Sequence, residues 1–316
     1  MNEIKEHKDI NCIKDSNGIT EKEFLEQYDI SRYDRPSVTV DILVLTIGEK
    51  EKENIRKLPE KELRVLMVKR SEHPYIYKWA LPGGFVGINE GLREAAYRKI
   101  LDEASINNIY LEQLYTLGED KLEVNRDPRT RVISTSYMAL LNQSQLKEII
   151  HQNKDEVKWF SVKKNPVFSG KRNFELVDIY ELILESDDAS IKMKYEVKDI
   201  YEGEFPTAVK NTVYKKVDEN TDFIAFDHYK IIDKGIERLK NKIEYTPLAF
   251  TLLGKYFTLS ELQKVYEVIL NKPLLKANFR RKISSMVRKT DIVQKGGHRP
   301  ANYYEFNESW KHHFME

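Results

Sequence analysis

Two stretches of this 316-residue chain hold side chains whose types and spacing could do chemistry. One is the helix read over Glu90 to Ala104, where Arg98, Lys99, Asp102 and Glu103 crowd the second half and the turn Pro82-Gly83-Gly84 leads the chain in. Positions 99 and 103 lie one helical turn apart, so the Lys99 ammonium can pair with the Glu103 carboxylate. Taken alone, such a cluster also fits a solvated charged face. The other stretch is the basic run after Pro273. Leu275, Phe279, Ile283 and Met286 recur at helical spacing and mark a buried face, with Pro273 in the first turn. The opposite face then carries Ala277, Arg281, Ser284 and Arg288, with Lys276, Arg280 and Lys282 on its flanks. Small residues let a helix approach the major groove of DNA, and arginines there contact guanine edges or phosphates.

The elements that must position these groups follow from the pattern. Ser37 to Ile47 is rich in β-branched residues, and further strands are expected at Leu63 to Val68, Leu111 to Leu117, Arg131 to Leu141 and Val157 to Val162. The charged helix offers Leu92, Ala95, Ala96, Ile100 and Leu101 to a core, and another helix is expected near Gln145 to His151. Residues 174–217 fit strand and helix about equally and are read as extra strands. A helix from His228 to about Ile243 ends at a boundary in Glu244 to Pro247. Beyond it a capping box, Thr258 to Glu261, opens a helix with the stripe Leu262, Val265, Tyr266 and Ile269, and Asn271 and Lys272 turn the chain. Strands around Asp291 to Gln294 and Asn302 to Phe306 bracket a tight turn at Gly296 and Gly297. Residues 1–35 read as a polar arm with one short helix capped by Thr20 and Glu23.

Charge divides the chain. Residues 246–316 hold 12 basic and 6 acidic side chains, against 40 and 45 in residues 1–245, which points to a polyanion as partner of the C-terminal part. With 41% hydrophobic residues, the composition argues against wholesale disorder. The absence of a run of roughly 18 apolar residues argues against a membrane partner, and the polar N-terminus makes a cytoplasmic location the expectation. Cys12 is the single cysteine, which excludes an intramolecular disulfide and a cysteine-rich zinc site.

The segment GFVGINEGLREAAYRKILDEASI, residues 84–106, resembles the Nudix box, G-x5-E-x7-R-E-U-x-E-E-x-G-U with U aliphatic. Gly84, Glu90, Arg98, Ile100, Glu103 and Ile106 match; Asp102 replaces a glutamate, Lys99 replaces a glutamate with opposite charge, and Ser105 replaces a glycine. The flanking DRPSVTVDILVLTI, VKRSEHPYIYKWALPGGFV and NRDPRTRVISTSYMALL are similar to the sensor domains of Nudix-related, NrtR-like transcriptional regulators. From YTPLAFTLL through FTLSELQKVYEVI to NFRRKI and RPANYYEF, the C-terminal part resembles the winged helix-turn-helix that accompanies this sensor. The fold class implied is α+β: a Nudix-fold mixed-sheet sandwich over residues 36–243, then a winged helix-turn-helix over 244–316. Lys295, His298 and Arg299 fall in the tip of its wing.

In that family the box helix presents carboxylates to Mg²⁺. Here Lys99 opposes the required charge, so Asp102 and Glu103 are expected to be weak metal ligands, with Glu90 able to assist. The sensor reading requires no cofactor; Mg²⁺ enters only with retained hydrolase activity. The family's sensors bind ADP-ribose or a pentose sugar. Beside the Gly83-Gly84 turn, Arg126, Arg129 and Arg131 could grip phosphate, and Trp79 or Phe85 could offer a stacking face. The arginines fit surface pairing with Glu119, Asp120 or Asp127 equally well, and Trp79 fits a core. The implied function is ligand-responsive regulation, with a double-stranded DNA operator and a small-molecule effector as partners and a homodimer matching a two-fold operator. The alternative is an active Mg²⁺-dependent pyrophosphatase acting on ADP-ribose or a nucleoside diphosphate sugar.

Overall fold

The computed structural model describes residues 13–50, 60–104, 106, 109–118, 126–142, 156–172, 175–204, 206–217, 222–294 and 301–310. They belong to two compact units, Met1–Pro36 and Ser37–Glu316. In the first, helix α1 (Glu21–Gln27) is closed by the expected capping box: Thr20 Oγ1 accepts the Glu23 N–H, and the Glu23 carboxylate accepts the Thr20 N–H.

The second unit is organised around β1 (Ser37–Glu49), whose residues Thr39 to Gly48 are all buried. A strand buried on both faces must lie inside a covered sheet. It runs parallel to β6 (Val132–Leu140) and antiparallel to β2 (Lys61–Lys69) and β4 (Gly83–Phe85). The short β3 (Trp79–Ala80) joins β2, and β5 (Tyr110–Leu117) joins β6. Successive side chains of a strand point to opposite faces, and β1 uses both. Val40, Ile42 and Val44 pack with Ala95, Ala96 and Ile100 of α2 (Leu92–Ala104). Leu43, Leu45 and Ile47 share a core with Ile231, Ile232, Ile236 and Leu239 of α3 (His228–Lys242). The sandwich is therefore a mixed sheet between two helices, as the α+β reading expects. Leu92 and Leu101 do not join the core: they are 36% and 46% exposed, because the small Ala95 and Ala96 bring α2 close with its other faces toward solvent.

The described residues of the segment read as extra strands, 174–217, form three strands joined by turns. β7 (Val157–Arg172), β8 (Glu175–Ser186), β9 (Lys192–Glu202) and β10 (Val209–Lys216) form an antiparallel meander extending the sheet in the order β10-β9-β8-β7-β2-β1-β6-β5. β7 continues well past the expected Val162. Its ladder with β8 shifts register between Pro166 and Phe168, a bulge that accommodates a proline inside a strand. The helix expected near Gln145 to His151 lies outside the described residues.

The core continues into the C-terminal elements, so the boundary at Glu244 to Pro247 is a change of architecture inside one compact unit. A 3₁₀ turn, Pro247–Leu252, leads to α4 (Leu259–Leu270), opened by the Thr258–Glu261 capping box and burying Leu262, Val265, Tyr266 and Ile269 as expected. Asn271 ends it in the left-handed conformation, φ 53°. The next helix, α5, is Lys276–Ile283, shorter than the pattern suggested. Pro273 precedes it, because the Gln263 and Glu267 side chains bond both backbone groups of Leu274 and hold that stretch out of the helix. Leu275 becomes its N-cap and is 75% exposed, which corrects its place on the buried face; Phe279, Ile283 and Met286 are buried as expected. Arg288 belongs to the strand β11 (Val287–Gln294), which pairs with β12 (Ala301–Phe306).

Candidate ligand pocket and nucleic-acid interface

A cavity of about 530 Å³ opens where β1, β4 and α2 meet the loop after β2 and the start of α3. The box glycines make its floor. A Cβ on Gly83 would lie 2.6 Å from both Asp41 Oδ1 and the Val40 carbonyl oxygen, so that approach requires glycine, whereas one on Gly84 would lie 2.5 Å from Lys99 Cε and would displace the lysine stem. Across this floor Lys99 extends to Glu103, Nζ to Oε1 at 3.7 Å, the pairing its spacing predicted. Glu103 also accepts the Gly83 N–H at 3.3 Å. Burial outweighs both contacts and pushes the Glu103 carboxyl up to about 7.

The remaining box residues divide by role. Glu90 faces away from the cavity: it accepts Arg98 Nε at 2.9 Å and the Gly87 N–H at 2.7 Å. The Arg98 guanidinium, helped by that N–H, holds its carboxyl down to about 2. Arg98 also donates to the Phe85 carbonyl at 3.2 Å, so the Glu90–Arg98 pair fastens the box loop to its helix. Asp102 lines the cavity, 3.8 Å from Arg98. A multi-carboxylate magnesium site does not fit this arrangement. Glu90 is spent on Arg98, Lys99 stands against Glu103, and among the described residues no three His, Cys, Asp or Glu side chains come together as a metal cluster.

A buried polar network forms the back wall, and the sequence reading missed most of it. Leu81 N–H donates to His228 Nδ1 at 2.9 Å, which assigns the ring proton to Nε2, 3.4 Å from Asp41 Oδ1. Arg126 reaches Asp227 at 2.7 Å and Asp41 at 3.4 Å, and Ser134 Oγ also donates to Asp41. Burial opposes the Asp41 charge, but His228, Arg126 and Ser134 prevail and hold its carboxyl well below the usual range. Asp41 had a signal, a lone carboxylate inside the apolar run TVDILV. His228 and Asp227 had none, since they meet Asp41 only through the fold.

The expected ligand residues fare differently. Phe85 and Arg129 line the cavity, the guanidinium 5.0 Å from the ring centroid and paired with Asp127 at 2.7 Å. Arg126 is a wall residue committed to two carboxylates, which corrects its reading as a free phosphate grip. Arg131 is corrected as well: it donates to the Gly118 carbonyl away from the cavity lining. Trp79 offers no stacking face, being 2% exposed with its ring against Phe160. Glu119 and Asp120 lie outside the described residues. A group not anticipated also lines the cavity: Arg70 lies 5.0 Å over the Phe226 ring, donating to the Pro74 and Glu72 carbonyls. Burial and the nearby Arg129 charge both pull its pKa below the ordinary arginine value. Two guanidiniums thus face one cavity, an arrangement suited to an anion.

On the C-terminal side, α5 presents Lys276, Arg280, Arg281 and Lys282, all exposed, and among the described residues none makes an ion pair. Ser284 is exposed beside them, its hydroxyl donating to the Arg281 carbonyl at 2.9 Å. Arg288 is corrected from a helix-face residue to a strand residue paired with Glu305 at 2.6 Å. Lys295, His298 and Arg299 lie outside the described residues.

With this geometry the chain can be set beside known proteins. A family model described as NUDIX domain matches residues 49–178, and one described as NrtR DNA-binding winged helix domain matches residues 249–306. The ADPR responsive transcriptional repressor NtrR of Acinetobacter baylyi is 29% identical over 294 residues, spanning 92% of this chain and 90% of that protein. A MutT/nudix family protein from Enterococcus faecalis shares the fold at a TM-score of 0.60, with 24% identity and coverage of 92% of this chain and 94% of the other. Shewanella oneidensis NrtR complexed with a 27mer DNA superposes at a TM-score of 0.56, with 26% identity over 85% of this chain and 93% of that one. The chain thus carries a NUDIX domain followed by an NrtR DNA-binding winged helix domain, and in these parts and their order it resembles the family of Nudix-related, NrtR-like transcriptional regulators.

Proposed function

We propose that the chain is a ligand-responsive transcriptional regulator acting in the cytoplasm as a homodimer. Its Nudix domain, residues 36–243, binds ADP-ribose or a related nucleotide or sugar metabolite, and its winged helix-turn-helix, residues 244–316, binds a double-stranded operator. The observation that carries this reading is the cavity itself. It keeps the Nudix position and about 530 Å³ of space, within the usual range for a small-molecule site, yet its box has a lysine salt-bridged where catalysis needs clustered carboxylates. Arg70 and Arg129 suit a diphosphate, and the Acinetobacter relative is described as ADP-ribose responsive. The free cations of α5 suit DNA, and the Shewanella relative is seen with DNA.

Anisotropy of a labelled operator with and without ADP-ribose tests the reading. Saturating ligand should change operator affinity by roughly 5- to 150-fold. An unchanged affinity would overturn ADP-ribose as effector. Arg281→Ala should cost about 1 to 3 kcal/mol on the operator and much less on scrambled DNA, whereas Arg288→Ala, already paired with Glu305, should change little. Asp102 and Glu103 still face the cavity and favour the alternative of hydrolysis. Rapid Mg²⁺-dependent turnover of ADP-ribose, abolished by Glu103→Gln, would establish that alternative.

A further inference from the structure

We propose that Lys99 is the resident cation of this cavity, so that a diphosphate is held without magnesium. The inference rests on the functional reading above only for its ligand class. A diphosphate entering a Nudix-type cavity needs positive charge at the box helix, and a family member with clustered carboxylates there recruits it as a metal ion. In this chain the position is filled by a side chain. Lys99 rises from α2, its stem passing over Gly84 so closely that a Cβ there would meet Cε at 2.5 Å, and its ammonium lines the cavity 3.7 Å from Glu103. A divalent ion at the same place would have to displace an ammonium of its own sign. Of the carboxylates it would need, Glu103 is engaged by Lys99 and the Gly83 N–H and Glu90 by Arg98, which leaves Asp102, 3.8 Å from Arg98.

The other cations complete the site. Arg70 and Arg129 stand on the cavity wall, each over an aromatic ring at 5.0 Å; Arg129 spends two nitrogens on Asp127 and Arg70 two on the Pro74 and Glu72 carbonyls, which leaves each one terminal nitrogen for a phosphate oxygen. Arg126 is bound to Asp41 and Asp227 and serves the wall. Arg70, Arg129, Lys69 and Lys99 thus line one cavity together with the carboxylates of Asp102, Glu103 and Asp127, and a diphosphate bound there would meet the cations with its charge. Glu103 orients Lys99, and the ammonium keeps further N–H donors for the ligand.

Calorimetry on the full chain with ADP-ribose and with inorganic pyrophosphate, each in EDTA and in excess Mg²⁺, tests this together with Mn²⁺ binding followed by electron paramagnetic resonance in the absence of ligand. The wild type should bind the anions with affinities that agree within about twofold in the two buffers, and should hold no Mn²⁺. Lys99→Met, which keeps the stem and removes the charge, should bind at least tenfold more weakly in both. Lys99→Glu should lose binding in EDTA, regain at least tenfold in Mg²⁺, and acquire a Mn²⁺ signal. Pyrophosphate behaving this way while ADP-ribose does not bind would uphold Lys99 and remove ADP-ribose as the ligand. Magnesium-dependent binding by the wild type, Lys99→Met binding as tightly as wild type, or no binding of either anion in either buffer would each overturn the proposal.

Discussion

At the scale of single residues, the charge placed at position 103 carries the clearest pH signature. Burial lifts the Glu103 carboxyl to about 7 from an ordinary 4.5, so between these values the folded state holds a proton that the unfolded chain has released. Stability contributed by this group is therefore lost as pH rises through that window, and the cost is fully present above it. Glu103→Gln mimics the protonated form and keeps an acceptor for the Gly83 N–H. It should leave stability unchanged near pH 4 and raise it by about 2 kcal/mol at pH 8. Urea unfolding of both proteins across that range would check it, and a pH-independent difference would contradict the assignment. Residue identities in the box were legible because the register of Gly84, Glu90, Arg98 and Glu103 is local in sequence. Of their partners, Asp41 carried a signal as a lone carboxylate in an apolar run, but Arg70, Phe226 and His228 did not, because they come from the loop after β2 and the entry to α3, which meet only in the folded chain.

At the scale of elements, local signals succeeded where one helix or strand buries one face. The capping boxes at Thr20 and Thr258 and the stripe of α4 stand where the pattern put them. They failed where tertiary contacts decide. The start of α5 is set by Gln263 and Glu267 of the preceding helix, and the length of β7 by pairing with β8 from Lys163 to Arg172, interrupted only at the Pro166–Phe168 bulge. Helix α3 gives the sharpest test of packing at this scale. Gly235 would ordinarily weaken a helix by about 1 kcal/mol relative to alanine, so Gly235→Ala has a favourable local term. Its Cβ, however, would stand 2.1 Å from Leu43 Cδ2 and 3.3 Å from Leu114 Cδ1, and Leu43 is fully buried on β1. Overpacking of this kind costs about 1 to 3 kcal/mol, so the substitution should destabilise the fold on balance. Combined with Leu43→Ala it should cost less than the sum of the two single changes. Additive losses in chemical denaturation would mean that α3 does not rest on β1 as described.

At the scale of the whole molecule, α3 joins the cavity to the DNA-binding elements by contacts at both its start and its middle. His228, at its first turn, bonds the cavity wall through Leu81 and Asp41. About one and a half turns on, the buried Asp233 accepts the hydroxyls of Tyr180 at 2.8 Å and Tyr214 at 3.0 Å, and Lys164 Nζ approaches it at 2.6 Å as an ion pair. The carbonyl of that same Lys164 accepts Asn271 Nδ2 at 2.9 Å, at the turn between α4 and α5. A shift of α3 driven by ligand at His228 would therefore be felt at the base of α5 through Lys164. Asn271 offers a clean way to cut this route. Its backbone is left-handed, which glycine adopts freely, so Asn271→Gly removes the side-chain bond and preserves the turn. Coupling between effector and operator is a single free energy shared by both ligands, typically about 1 to 3 kcal/mol. We expect Asn271→Gly to bind ADP-ribose alone and operator alone within about twofold of wild type, while the change in operator affinity caused by ADP-ribose shrinks by at least half. The same loss must appear when ADP-ribose is titrated in the presence and absence of operator, because the linkage is reciprocal. Full coupling in the variant, measured in both directions, would show that the signal does not pass through Lys164 and Asn271.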